Sequence, residues 1–126
     1  MTTTTAIPEN RPLTATELAL IQWLLQHGVP QALDYLPQLE RARVISRCYC
    51  GCASIDFSID GMIPPPAVME ILADYEWQAV GGELYGVFVF GRSGLLAGLE
   101  VWSRDGLGRA EALPEISQLQ PLATQS

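Results

Sequence analysis

The strictest constraint on the fold is a run of alternating side chains near the middle of the chain. Polar and apolar residues follow one another without a break in the order Ser54, Ile55, Asp56, Phe57, Ser58, Ile59 and Asp60. Successive side chains of a strand point to opposite faces of a sheet, so this run predicts a strand with one buried and one wet face. Half-exposed strands of this kind are typical of antiparallel sheets.

A cysteine-rich hairpin is predicted just before this strand. A two-residue turn at Cys50-Gly51 pairs Val44 with Phe57, and the glycine supplies the left-handed conformation that the turn requires. In this register Cys48 faces the core as a small apolar side chain, and Cys52 flanks the turn.

The segment that follows the triple proline at 64–66 fits two kinds of secondary structure. Residues 67–80 match a helix that begins after the prolines, and they also match a strand with alternating faces. We choose the strand because its alternation is unbroken and a hairpin follows. The prolines favour an exposed loop over a sheet interior.

The last hairpin is predicted to turn at Ser93-Gly94, between Leu84–Phe90 and Leu96–Ser103. The core layer would then pair Phe90 with Ala97, Phe88 with Leu99 and Gly86 with Val101. The opposite face would pair Tyr85 with Trp102 and Val87 with Glu100. That second face is too apolar for open water, so we expect the helices, the proline loop or another chain to cover it.

Helices are predicted only near the beginning of the chain. Thr14 and Glu17 match a capping box, and the helix that follows should end at His27-Gly28. A second, kinked helix should start at Pro30. Residues 1–10 are Thr-rich without periodicity, which predicts a disordered tail. The fold class is therefore α+β, with an N-terminal helical pair packed on an antiparallel meander of about five strands, in a single domain over 11–126.

Composition limits the classes of partner. The chain has 126 residues and a net charge of −7, and this charge disfavours nucleic acid and anionic membranes, which need a basic surface. The start of the chain shows no secretory signal and no apolar stretch reaches the length of a membrane span. A cytoplasmic location is expected, where thiols stay reduced.

The cysteine cluster allows a second interpretation, as a metal or redox site. Zinc would require convergent thiolates, and a bend at Gly51 could bring Cys50 and Cys52 together. Further ligands could be Cys48 and either the single histidine, His27, or Asp56. Cys50 at an exposed tip could instead be a reactive thiol. Two separated cysteine pairs, the usual spacing of structural zinc sites, are missing, so packing is the preferred interpretation and no cofactor is expected.

Carboxylates and aromatic residues suggest a binding surface. The candidate residues are Asp56, Asp74, Glu76, Trp77, Tyr85, Glu100 and Trp102. No catalytic residue is assigned, and we expect a non-enzymatic protein-interaction module that forms a homodimer or binds a basic protein. A small hydrolase that uses clustered carboxylates is a further alternative.

One stretch resembles a known group of proteins. The run from Arg47 to Phe57, with Arg11-Pro12-Leu13-Thr14 and Gly98-Leu99-Glu100-Val101, is similar to a family of small bacterial proteins of unknown function. The resemblance spans most of residues 11–115 and implies no activity. The predicted plan of two helices followed by a sheet also looks like that of small immunity or partner-neutralising proteins, an analogy at the level of fold.

Overall fold

The fold is an antiparallel sheet with helices on one face. The computed structural model describes residues 6–48, 52–106 and 108–121. Its strands are β1 (Ala6–Pro12), β2 (Ala42–Cys48), β3 (Ile55–Ile59), β4 (Glu70–Gln78), β5 (Leu84–Arg92), β6 (Leu95–Ser103) and β7 (Gln120–Pro121). The α+β class and the antiparallel sheet are confirmed, but the described residues form seven strands and not about five. The strand prediction for residues 67–80 is confirmed by β4.

The strand order differs from a simple meander. The order is β1-β2-β3-β6-β5-β4-β7, so β3 pairs with β6 and only β4, β5 and β6 form a meander. The connection from β3 to β4, which we call the proline loop (residues 60–69), therefore passes over two strands. It is held there by Arg92, whose Nη1 donates a hydrogen bond of 2.6 Å to the Ala67 carbonyl.

The first strand corrects the predicted tail. Residues 6–10 lie in β1, which pairs with β2, while residues 1–5 lie outside the described residues. Glu9 explains part of the pairing, because it accepts hydrogen bonds from Arg11 at 2.9 Å and from Arg47 at 2.7 Å. The two prolines of β1 hide its strand character in the sequence.

The helical pair is confirmed in outline. Helix α1 (Ala15–Gln26) begins with the predicted capping box: the Glu17 amide donates to Thr14 Oγ1 at 3.1 Å, and the Thr14 amide donates to Glu17 Oε1 at 2.9 Å. The second element, Pro30–Arg41, is a 3-10 helix that contains Pro37. A 3-10 helix has three residues per turn, so side chains three positions apart lie on the same side of it, unlike in an α-helix.

Both helical elements cover the same face of the sheet, which we call the inner face. The core between them buries residues from the two layers: Leu20, Ile21, Leu24, Leu25, Ala32, Tyr35 and Leu39 from the helical elements, and Val44, Phe57, Leu72, Trp77, Val87, Val89, Leu99 and Val101 from the strands. On the opposite side of the sheet, the outer face, Ile63 and Pro64 of the proline loop line a cavity together with Asp56 and Arg92. The two faces therefore have different environments.

A bulge changes the register of each predicted hairpin. The pair Val44 and Phe57 is confirmed, but Ser46 pairs with Asp56, so Ile45 is an extra residue in β2. Arg92 pairs with Leu95, as a turn at Ser93-Gly94 requires. The Cys50-Gly51 turn itself lies outside the described residues.

The second of these bulges reverses the predicted faces of β5 in the last hairpin. Phe90 pairs with Gly98 while Gly91 pairs with Leu96, so Ala97 is the extra residue. Since the side-chain period of a strand is two, one extra residue moves every following side chain to the other face. Leu99 and Val101 lie in the core as predicted, but they pair with Val89 and Val87 and not with Phe88 and Gly86. Phe88 lies on the opposite face, and Phe90 is buried there, outside the main core cluster.

The bulges adjoin a single row of the sheet. This row crosses six strands through the pairs Pro8–Ser46, Ser46–Asp56, Asp56–Gly98, Gly98–Phe90 and Phe90–Ile71. Register shifts occur next to it in β1, β2, β4 and β6. Bulges bend strands and increase their twist, so the sheet bends along this row.

Candidate functional site

The exposed part of the outer face carries an acidic and aromatic surface. One row of paired residues runs Asp74, Phe88 and Glu100 across β4, β5 and β6, and the next outer row runs Glu76, Gly86 and Trp102. We call these six residues the acidic face. Their inner neighbours, such as Val87 and Val101, are buried in the core, which fixes the direction of the alternation.

Two glycines let aromatic rings lie flat on this side of the sheet. A Cβ atom on Gly86 would lie 2.6 Å from Cε2 of Trp102, and one on Gly98 would lie 2.7 Å from Cζ of Phe90. Each ring thus occupies the space that a side chain would fill. Trp102 keeps 38% of its surface exposed, whereas Phe90 keeps only 3%.

Arg104 is the cation of the acidic face. It forms an ion pair with Glu76, and its guanidinium carbon lies 5.9 Å from the centre of the Trp102 ring. Asp74 makes no such ion pair with a described residue. Its Oδ1 is buried without a hydrogen-bond partner among the described residues, as is Nε of Arg104. Burial raises the pKa of Asp74, and the charge of Arg104 opposes this rise.

Glu100 is the second half-buried carboxylate of the row. Burial raises its pKa; a hydrogen bond from the Ser54 hydroxyl lowers it, and the negative charge of Asp56 raises it further. Ser54 Oγ also lies 3.2 Å from the Val101 carbonyl oxygen, so its one proton serves either this carbonyl or Glu100. Arg104 and Arg92, the arginines nearest to Glu100 in the sequence, bind Glu76 and the Ala67 carbonyl.

The predicted binding residues divide between the two faces. Asp74, Glu76, Glu100 and Trp102 lie together on the acidic face, and Asp56 lies on the same side of the sheet. Trp77 and Tyr85 do not join them: they pack on the core with ring centroids 5.2 Å apart. Phe88 was missed because the predicted register placed it in the core. The strand glycines Gly86 and Gly98 were the available signal, since such glycines mark bulges or close contacts.

The proposed cysteine site is only partly described. Cys52 packs against the core, and its Sγ lies 3.3 Å from Ser54 Oγ. Cys48 is half-buried and outside the main core cluster, so its predicted core position is corrected by the bulge at Ile45. Cys50 lies outside the described residues.

His27 is separated from Cys48 by most of the width of the sheet. Its ring stacks on Trp23 at 4.1 Å, and its carbonyl accepts a hydrogen bond from Tyr75 of β4. Cys48 is in β2, four strand spacings from β4, which corresponds to roughly 19 Å. In the described part of the chain, no group of three or more His, Cys, Asp or Glu residues could hold a metal ion.

The geometry of the carboxylates bears on the hydrolase alternative. Asp74 and Glu100 each pair with Phe88, from opposite sides. Phe88 therefore lies between the two carboxylates in this row. Two strand spacings correspond to roughly 9.6 Å, which is close to the separation of about 6.5–9.5 Å that paired acid and base catalysis uses in inverting glycosidases, so the hydrolase alternative stays a prediction.

Comparisons with known proteins give no relative for this fold and site. No family model matches the chain, and no curated protein or solved structure shows a significant match. The resemblance to small bacterial proteins remains a prediction. Within the described ranges, no helix is both long and apolar enough to cross a membrane.

Proposed function

We propose that this protein is a non-enzymatic interaction module whose acidic face binds a basic protein partner. The observation that carries the proposal is the row Asp74, Phe88 and Glu100. Two half-buried carboxylates flank an aromatic ring there, and neither has an ion pair among the described residues. Placing carboxylates in such surroundings is costly unless a cation reaches them. A partner that supplies the cation would recover this cost on binding.

Exposed aromatic surface beside the carboxylates supports the same conclusion. Trp102 borders the row, and tryptophan is enriched among the residues that dominate binding energy at interfaces. Charge complementarity would increase the rate of association with a basic partner, and repulsion between like charges would exclude acidic partners.

The partner can be sought from the acidic face itself. A photo-crosslinking amino acid at position 102 should capture a protein with a basic surface, and one at Leu33, on the helical side, should not. Binding of the purified partner should then weaken at least tenfold in Glu100→Gln and fall with added salt. The matched control is Glu111→Gln, whose side chain is 66% exposed. A partner whose affinity is equal for wild type and Glu100→Gln would contradict the proposal.

We propose that the expected homodimer, where it forms, uses a different surface. A two-fold interface through the acidic face would bring two surfaces of the same negative charge together. The helical side offers apolar residues instead, since Leu33 is 52% exposed and Leu18 is 39% exposed. A solution mass that is dimeric in wild type and monomeric in Leu33→Glu would support this arrangement. A monomeric wild-type mass at high concentration would contradict it.

A further inference from the structure

The outer side of the sheet already holds two of the protein's own arginines in the same manner. The guanidinium carbon of Arg92 lies 5.4 Å from the centre of the Phe90 ring, and that of Arg104 lies 5.9 Å from the centre of the Trp102 ring. Each guanidinium also reaches an oxygen acceptor, the Ala67 carbonyl for Arg92 and the Glu76 carboxylate for Arg104. A ring below and an oxygen beside the cation are therefore the common pattern.

Phe88 lies between these two arrangements and has most of the same parts. Its ring centre is 5.8 Å from that of Phe90, and its paired neighbours are Asp74 and Glu100. Phe88 is half-buried, so part of its ring is accessible. Among the described residues, however, no arginine or lysine lies over it. The middle row thus has the ring and the acceptors, and although the charge of Arg104 acts on Asp74, the guanidinium of Arg104 lies over Trp102 and not over Phe88.

The chemistry of this row favours arginine over lysine. A guanidinium is planar, stacks on an aromatic face and donates two parallel hydrogen bonds to a carboxylate. An ammonium group is a compact, strongly hydrated charge that makes less use of a flat ring. The two arginines already present show that the spacing of this sheet suits a stacked guanidinium.

We propose that the acidic face recognises an arginine side chain of its partner, stacked on Phe88 between Asp74 and Glu100. This inference rests on the proposed function and specifies the group that the face binds. The partner is then a protein segment with an exposed arginine, and charge alone is insufficient for tight binding.

Matched peptides test this inference on the full chain. We would titrate the protein with hexa-arginine and hexa-lysine peptides at the same ionic strength and measure both dissociation constants by calorimetry. The arginine peptide should bind at least fivefold more tightly. Phe88→Leu, which keeps an apolar side chain, should remove this preference while preserving binding of the lysine peptide. Glu100→Gln should weaken both peptides.

The outcomes separate the inference from the proposed function. Equal affinity for the two peptides, both weakened by Glu100→Gln, would overturn arginine recognition and leave the basic partner intact. An arginine preference that persists in Phe88→Leu would also overturn the inference. Failure of both peptides to bind would overturn both proposals. Where Phe88→Leu does not fold, as judged by circular dichroism, the comparison of peptides on the wild-type protein decides.

Discussion

Glu17 and Glu100 are both carboxylates that are partly or fully buried, and they differ in whether an arginine lies beside the carboxylate. Glu17 is 8% exposed, and each of its oxygens accepts a hydrogen bond from Arg11, at 2.9 and 3.0 Å. Glu100 has a serine hydroxyl and the negative charge of Asp56 nearby. Burial acts to raise the pKa of both groups, but the bonds from Arg11 and Thr14 bring the pKa of Glu17 below its ordinary value.

The contrast separates a structural carboxylate from a surface available for binding. At Glu17 the cation comes from β1 of the same chain, so the pair joins the first strand to the first helix. At Glu100 no cation of the described residues accompanies the carboxylate. The Arg11–Glu17 pair therefore increases the stability of the fold, whereas the Glu100 carboxylate lowers the stability of the unbound protein.

Removing the cation from the structural pair should have the largest effect. Arg11→Ala leaves Glu17 buried without its partner, and we expect a loss of about 3 kcal/mol in the free energy of unfolding, measured by urea denaturation. The control is Arg41→Ala. Its pair with Asp60 is exposed, with side chains 48% and 50% accessible, so a loss of about 0.5 kcal/mol or less is expected. Equal losses of unfolding free energy in Arg11→Ala and Arg41→Ala would show that the buried pair of Glu17 is no more important for stability than an exposed pair.

The glycines below the aromatic rings should have an intermediate effect. A Cβ on Gly98 would lie 2.8 Å from the Ile55 carbonyl oxygen, which is part of the backbone and cannot rotate away. We expect Gly98→Ala to cost about 2 kcal/mol in thermal or urea unfolding. In Gly86→Ala the nearest atoms to the added methyl group belong to the side chain of Trp102, so this variant should cost less and shift tryptophan fluorescence. The reverse order of stability would show that the rings, and not the backbone contact, determine the cost.

The smallest effect is expected from neutralising the unpaired carboxylate. A raised pKa means that the folded state binds more protons than the unfolded chain, so stability falls as pH rises above the ordinary glutamate value of about 4.3. Glu100→Gln should flatten this fall and make the protein more stable at pH 7, by up to about 1 kcal/mol.

Glu17→Gln should change the pH profile in the opposite direction. The lowered pKa of Glu17 gives stability that is present above the ordinary value and is lost as pH falls through the folded-state pKa. The variant should therefore lose stability at neutral pH and show a weaker acid dependence. Unfolding curves between pH 3 and 8 would measure both profiles. If Glu17→Gln and Glu100→Gln changed the free energy of unfolding at pH 7 in the same direction, the charge environments assigned to the two carboxylates would be wrong.

Local sequence signals predicted several elements well. Thr14 and Glu17 form the expected cap, the Ser93-Gly94 turn is consistent with the observed pairing of Arg92 with Leu95, and residues 67–80 contain the expected strand. These features depend on residues close together in the chain, for which turn and capping chemistry is specific.

The face assignments failed because bulges leave little trace in a single sequence. Ala97 is an ordinary strand residue, yet as the extra residue in β6 it changes which side chains of β5 share the core face with Leu99 and Val101. Phe88 was therefore placed in the core and Val87 opposite Glu100. The strand β1 was missed for a related reason, because its pairing is set by contacts of Glu9 with distant residues such as Arg47. Long-range pairing of this kind is not encoded in local periodicity.

The passage of the proline loop over β6 and β5 has a consequence for the order of folding. The residues before this loop and those after it form separate sets of neighbouring strands, which meet through the pairs Ile55–Leu99 and Asp56–Gly98. Local hairpins close quickly, whereas contacts between distant residues carry a larger loop-closure cost. The seam between β3 and β6 should then form late, and the rate of folding should depend on how readily residues 60–69 span the intervening strands.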